Sequence, residues 1–346
     1  MALIVFDGFD HYATGADILS RSGPLVWTRN DGFQSFQPGR SGYGKSYACG
    51  NDVAILGAFV GQFTHFFCGF ACQLGSETTA QFYFNDMSGS GPVGTPQFYL
   101  QLNGSTGTIA IYSGAGTFEN TSTAAAFTPT VWNYIEIGAV IGTAGSVTVR
   151  INGVQVVAAT FDTVNTANTW VNGIRVQSDS YGSYISLDDF YWCDNTTGAG
   201  ANPCNTFLGD VSVDTLFPTS NFAVAWTPLA NTNWQEVSEL SNDGDVSYNS
   251  AATVGAVDTY NFGPLRPTAT AVLGVQTTGA YRKDDATART LQQRVISAGS
   301  TADGTTVSIP ATYTYETDLF VVDPSTTANW TVAAVNAIAA GYELVS

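Results

Sequence analysis

The stretch WNYIEIGAVIGTAGSVTVRINGVQVVAATFD, residues 132–162, decides the fold class because all of its local signals agree. Ile135, Ile137 and Ala139 alternate with Glu136 and Gly138, the period of a half-buried strand. Glycines at 142 and 145 interrupt the run, and Val147, Val149 and Ile151 resume it. Asn152-Gly153 then supplies two residues that tolerate positive φ, as a tight type I′ hairpin requires, and Val154–Phe161 reads as a third strand. The segment is expected to form a three-stranded antiparallel meander whose one apolar face packs on a second sheet.

Composition extends this reading to the whole chain. Its 346 residues suggest two domains at about 150 residues each, both large enough to bury a core. There are 36 glycines, and the charged fraction of 11% is low against an ordinary share of about 25%. Aromatic and β-branched residues are too plentiful for a disordered chain. With 11 Lys and Arg against 28 Asp and Glu, the formal charge of −17 repels phosphate backbones, so nucleic acid is not an expected partner. The acidity is expected to keep a strand-rich surface soluble, the other reading being an affinity for divalent cations.

The opening MALIVFDGFDHY has no basic n-region and a five-residue apolar run, shorter than the roughly 7–15 residues of a signal-peptide core. No stretch approaches the ~20 apolar residues of a membrane span. The chain is therefore expected to stay in the cytosol in which it is made, or to leave by a route that needs no such signal. Five cysteines, an odd number, argue against a complete disulfide framework. Cys68 and Cys72 on one strand lie about 13 Å apart, too far to bond. Cys193 and Cys204 flank a polar loop; buried thiols are the expectation, with a Cys193–Cys204 bridge as the alternative.

The order Trp-x-Tyr-Ile-Glu from Trp132, a short turn, Val-x-Val-Arg-Ile-Asn-Gly-Val from Val147, and then Leu187-Asp188-Asp189-Phe190-Tyr191-Trp192 resembles the concanavalin A-like, laminin-G-like sandwich. More narrowly, it resembles the version that opens many structural proteins of tailed bacteriophage particles. Phe207-Leu208-Gly209-Asp210-Val211-x-Val213-x-Thr215-Leu216 is similar to the join in those proteins. Trp226-Thr227-Pro228, Arg282-Lys283-Asp284-Asp285 and Trp330-Thr331-x-x-Ala334-Val335-Asn336-Ala337 are similar to their second half. The resemblance implies a virion component on a tail, tail fibre or particle surface, assembled in the host cytoplasm and released by lysis. It also implies that the opening strand at residues 2–6 lies beside residues 187–192.

The expected fold is all-β, two β-sandwich, jelly-roll-like domains in series with a short C-terminal helix. The first spans residues 1–200 and the second 201–346. The boundary falls in the Gly/Asn/Pro stretch 195–205, which lacks apolar periodicity. In the second half, strands are expected at 211–216, 246–248, 259–262, 269–277, 289–297, 307–315 and 319–322, with Lys283–Thr287 as a hairpin tip between the fourth and fifth. Thr331 caps an expected helix over 332–340, and Gly341 stops it.

Several constellations carry chemistry on paper. Residues 39–46, GRSGYGKS, fit the phosphate-loop pattern, but that loop needs a buried parallel strand before it and a helix after it. Pro38 precedes it and Tyr47-Ala-Cys-Gly-Asn follows, so a glycine-rich turn into a strand is expected instead. His65, Cys68 and Cys72 have zinc-like spacing, yet strand parity sets His65 on the opposite face. Carboxylates flanking a groove about 5–9.5 Å apart would mark a glycosidase. The Glu-x-Asp-x-x-Glu arrangement of glucanases with this fold is not found, alginate-lyase-like motifs are missing, and Glu136 stands alone as a surface or cross-strand partner. No nucleophile elbow forms, and two histidines are the whole supply of imidazole. The chain is therefore not expected to be an enzyme.

Asp188 and Asp189, near Asp7 and Asp10, are the candidate calcium ligands, since laminin-G-like sandwiches sometimes hold calcium on rim carboxylates. The plainer alternative is that one aspartate accepts from turn amides while the other faces water, and otherwise no cofactor is expected. Tyr181 and Tyr184 are the candidate glycan platform, exposed aromatic pairs also marking protein interfaces. Most of the aromatic residues, among them the seven tryptophans and many tyrosines, are expected in the two cores. The expected function is docking among virion proteins, as a homo-oligomer, by many weak contacts. The alternatives are a host adhesin binding surface polysaccharide and a capsid decoration protein.

Overall fold

The structure, a computed structural model, describes all residues but 1, 2, 30–32, 51, 77, 90–92, 179–183 and 198–203. Fifteen strands come from the first part of the chain: β1 (Leu3–Asp7), β2 (Leu25–Arg29), β3 (Phe33–Pro38), β4 (Lys45–Gly50), β5 (Asp52–Phe63), β6 (His65–Leu74), β7 (Thr79–Asp86), β8 (Thr95–Asn103), β9 (Thr108–Ser113), β10 (Phe118–Thr121), β11 (Asn133–Val140), β12 (Gly145–Ile151), β13 (Val154–Phe161), β14 (Val171–Ser178) and β15 (Ile185–Asp194). They form two antiparallel sheets. One runs β13-β12-β11-β6-β15-β4-β3 with β1 also on β15; the other runs β10-β9-β8-β7-β14-β5-β2.

The meander expected from residues 132–162 is β11, β12 and β13, with Ile135 opposite Ile151 and Val147 opposite Ala159. Asn152 and Gly153 take φ of 49° and 81° at the hairpin, and the Asn152 carboxamide oxygen accepts from the Tyr134 amide at 2.8 Å. Between the sheets lies an aromatic core. Phe66 stacks on Trp192 with centroids 4.2 Å apart, and Phe70–Phe82 and Phe84–Phe98 each meet at 4.6 Å. All five phenylalanines and the tryptophan are essentially inaccessible. Alternate residues of each strand supply this layer, so the other half of every strand faces outward.

The rest of the chain is a second layered β unit. Its strands are β16 (Pro218–Ala223), β17 (Thr227–Pro228), β18 (Asn249–Ser250), β19 (Val257–Phe262), β20 (Val275–Tyr281), β21 (Thr290–Ser297), β22 (Ser300–Asp303), β23 (Val307–Ser308), β24 (Thr314–Phe320) and β25 (Ala339–Leu344). A six-stranded sheet, β16-β19-β25-β21-β22 with β23 on β21, turns Tyr260, Leu291, Val295, Ala340 and Tyr342 to one side. The β20/β24 ribbon covers that side through Val275, Tyr281 and Phe320. The molecule is thus nearly all β, as the alternation implied.

Details of the second part differ from expectation. Residues 211–216 form no strand, and 269–274 are irregular until β20 begins. Residues 246–248 also form no strand; pairing starts at Asn249. Lys283–Thr287 is no hairpin tip, because β20 pairs with β24 while β21 pairs with β22, β23 and β25. The helix is one turn, Val332–Val335, capped by the Thr331 hydroxyl accepting from the Ala334 amide. Ala339 and Ala340, expected to continue it, instead open β25 in the middle of the sheet; small residues suit a strand flanked on both sides.

The two outer faces of the first pair of sheets have different fates. On the eight-stranded sheet, a strap at residues 204–216 crosses the outer face. The Phe207 ring meets Phe67 at 5.1 Å and lies under the Arg150 guanidinium at 4.1 Å. The amides of Leu208 and Gly209 donate to the Tyr191 hydroxyl and to Glu136. Leu273, Leu319 and Val321 pack with Leu3, Tyr134 and Tyr191 beside the strap. Glu136 is therefore fully buried beneath it rather than a surface residue.

Candidate functional site

Asp188 and Asp189 lie where β15 bulges. Asp189 takes φ of 51°, and pairing with β6 jumps from Asp188 to Tyr191. Neighbours on a regular strand face opposite ways, but the extra residue of a bulge breaks that parity. Both carboxylates accordingly line one cavity of about 210 Å³, with Asp10, Arg40, Asp214 and Arg266.

Every oxygen of the three inner aspartates has a partner. Asp188 accepts from the amides of Arg40 and Asp189, both at 2.8 Å. Asp189 accepts from the Val213 amide at 2.7 Å and pairs with Arg40 Nε at 2.8 Å. Asp10 accepts from the Lys45 amide and the Thr215 hydroxyl. Arg40 reaches on to Asp210 and, at 2.7 Å, to the Val211 carbonyl. The cluster is a clasp that holds the strap.

Burial, then the neighbouring Asp189 charge, pushes Asp188 up to about 8. Burial also raises Asp189, against the pull of Arg40. A calcium ion takes six to eight oxygens. Here the oxygens face N–H and O–H donors and a guanidinium, so this donor set does not fit one. Among the described residues no group of three or more His, Cys, Asp or Glu is placed to hold a metal ion. Neither aspartate faces water, contrary to the plainer alternative: they are 5% and 4% exposed.

The other sequence candidates lie apart. Tyr181 falls outside the described residues; Tyr184 is exposed just before β15, and its carbonyl accepts from the Gly75 amide. All five cysteines are buried thiols, Cys193 and Cys204 sharing the small cluster under the strap. Residues 39–46 form a turn, Arg40–Gly42, between antiparallel β3 and β4. Lys45 Nζ donates to the Tyr12 carbonyl and to Ser241.

One arrangement escaped the sequence reading. On the outer face of the seven-stranded sheet, Arg175 (β14) lies opposite Tyr83 (β7), Tyr83 opposite Tyr99 (β8), Tyr99 opposite Tyr112 (β9), and Tyr112 opposite Phe118 (β10). The rings touch in sequence: Tyr83–Tyr99 at 4.9 Å, Tyr99–Tyr112 at 4.9 Å and 4° between planes, and Tyr112–Phe118 edge-on at 5.8 Å. The Arg175 guanidinium closes the row, 3.8 Å from the Tyr83 centroid. Gln177, Gln81 and Gln101 form the adjacent row in the same register. The Tyr83 hydroxyl donates to Gln81 at 2.6 Å. The tyrosines are half-buried and Phe118 is 55% exposed, so this face stays open to solvent while its counterpart is covered.

No family model matches the chain, and no curated protein does. Solved structures do resemble it. A Bacillus subtilis protein of unknown function with a galectin-like fold has 11% identity and a TM-score of 0.39 over 56% of this chain and 96% of its own. An endo-β-1,4-glucuronan lyase from Trichoderma reesei has 13% identity and a TM-score of 0.37 over 56% and 96%. The carbohydrate-binding module CBM66 from Bacillus subtilis has 9% identity and a TM-score of 0.34 over 49% and 96%. Likeness at this level, with TM-scores below 0.5, assigns neither a fold family, nor a ligand, nor an activity.

It does correct one expectation. The sequence lacks a carboxylate pair and a nucleophile elbow, from which no enzyme was expected. A glucuronan lyase and the alginate lyase Aly36B are nonetheless among the similar structures. The exclusion of catalysis is withdrawn, and no catalytic role is established. None of these structures points to a virus particle.

Proposed function

We propose that the chain is a carbohydrate-binding protein that takes saccharide on the open outer face of its seven-stranded sheet, along Tyr83, Tyr99, Tyr112 and Phe118. The observation that carries this reading is the in-register aromatic row on the outer face left uncovered. A sugar ring offers apolar C–H surface and hydroxyls that both donate and accept. Ring edges match the first, and tyrosine hydroxyls and glutamine amides match the second. The stacked rings hold one another upright, so little side-chain freedom is lost on binding. Affinity electrophoresis of the full chain through gels containing different polysaccharides tests it. Retardation in at least one gel, abolished by Tyr112→Ala and Tyr99→Ala, is expected; no retardation in any gel, backed by an empty glycan array, contradicts it.

A narrower setting is proposed alongside: a component of a tailed-phage particle, in which residues 1–200 bind ligand and residues 201–346 attach to other virion proteins or to further copies of the chain. Supporting it is the placement of the motif from Phe207 to Leu216, whose residues are those that clasp the strap to the sandwich. Mass spectrometry of purified particles tests this setting, and absence of the chain from them removes it.

A further inference from the structure

We infer that the saccharide is a linear, extended 1,4-β-linked glycan, bound along its interior with one unit to each of Tyr83, Tyr99, Tyr112 and Phe118. This rests on the carbohydrate-binding reading above. The four rings come from four neighbouring strands, β7 to β10, and follow one another across the sheet at 4.9, 4.9 and 5.8 Å. A second row runs beside the first. Gln81 and Gln101 lie two residues from Tyr83 and Tyr99 on the same strands, hence on the same face, and Gln81 Nε2 donates to Gln101 at 3.4 Å. Among the described residues the Tyr99 and Tyr112 hydroxyls bond to no other protein group. Aromatic rings and polar groups thus recur together with the sheet's own period.

A surface built by translation fits a ligand built by translation. Neighbouring strands lie ~4.8 Å apart, and a pyranose linked through equatorial bonds at opposite corners lengthens an extended chain by about the same distance. Successive sugar rings therefore meet successive aromatic rings, and at each step their hydroxyls reach a phenol or an amide that can donate or accept. A chain with axial linkages coils and leaves the row, and a single terminal sugar meets one ring and leaves the others wet. Phe118, 55% exposed and edge-on to Tyr112, ends the row because β10 is the last strand of the sheet.

Titration calorimetry of the full chain with 1,4-β-linked gluco-, xylo- and manno-oligosaccharides of one to six units tests this. In at least one series affinity is expected to climb with length, the tetramer binding about tenfold more tightly than the dimer, and to level off beyond four units. Phe118→Ala is expected to remove the step from three units to four, with a melting curve matching the parent to show that the variant is folded. Equal affinity from one unit to six, or a three-to-four step that survives in Phe118→Ala, overturns the assignment. Retardation in polysaccharide gels, lost in Tyr112→Ala, without binding in any of the three series overturns it too while sparing the carbohydrate-binding reading. Failure to bind any saccharide sinks both.

Discussion

Arg40→Met gives the sharpest test of the clasp. The side chain is 16% exposed and pairs through Nε with Asp189, whose side chain is 5% exposed, at 2.8 Å. Removing one partner of a buried pair leaves the other charge uncompensated, at a cost of about 3–5 kcal/mol. Two features place this case at the lower end: Arg40 retains some solvent contact, and Asp189 keeps its bond from the Val213 amide. The contact to Asp210, 55% exposed, adds little. A loss of about 3 kcal/mol corresponds to a fall in melting temperature of roughly 4 °C in a chain of this size. Differential scanning calorimetry reads it directly. The double variant Arg40→Met with Asp189→Asn removes the orphaned charge and is expected to recover more than half of the loss, a coupling that a cycle of the four proteins isolates. A melting temperature within about 1 °C of the parent for Arg40→Met, or losses that simply add in the double variant, would refute the reasoning.

Asp188 supplies a pH signature. Its carboxyl is raised to about 8 by burial, so between the ordinary carboxylate range and pH 8 the folded chain holds a proton that the unfolded chain releases. Stability from this group is present at low pH and lost as pH rises through that window. His11, pushed down to about 4 by burial, gives the opposite slope below its ordinary value, so the readout is the difference between parent and Asp188→Asn. That difference in melting temperature is expected to change steadily from pH 5 to 8; a constant offset counts against it. Gly69→Ala places a Cβ 2.3 Å from Tyr191 and 3.0 Å from Tyr134, the rings on which the strap rests. A loss of about 1–3 kcal/mol in urea unfolding is expected, and unchanged stability would mean the rings move freely.

The sandwich was legible because period-2 alternation and Asn152-Gly153 are local signals, and their pairing partners follow at short range. The second part was less so: residues 211–216 alternate like a strand, but their polar backbone groups are satisfied by carboxylates such as Asp189 rather than by a ladder. Local pattern cannot tell the two apart. Asp188 and Asp189 were named from the sequence as candidate calcium ligands, but the bulge that turns both into one cavity shows only in the pairing with β6, which jumps from Asp188 to Tyr191. The aromatic row lay furthest from view. Tyr83, Tyr99, Tyr112 and Phe118 each sit on a different strand, and only the registers of three hairpins bring them into line. Each tyrosine shows the right alternation within its strand, but a one-residue slip in any hairpin would break the row.

The claim that the open outer face is where ligand sits is tested most directly by hydroxyl-radical footprinting of the intact chain with and without a saturating concentration of a polysaccharide that retards it in affinity gels. Protection is expected at Tyr83, Tyr99, Tyr112 and Phe118, with Tyr184 unchanged. Protection at Tyr184 or along the strap, with those four rings as reactive as before, would contradict the account.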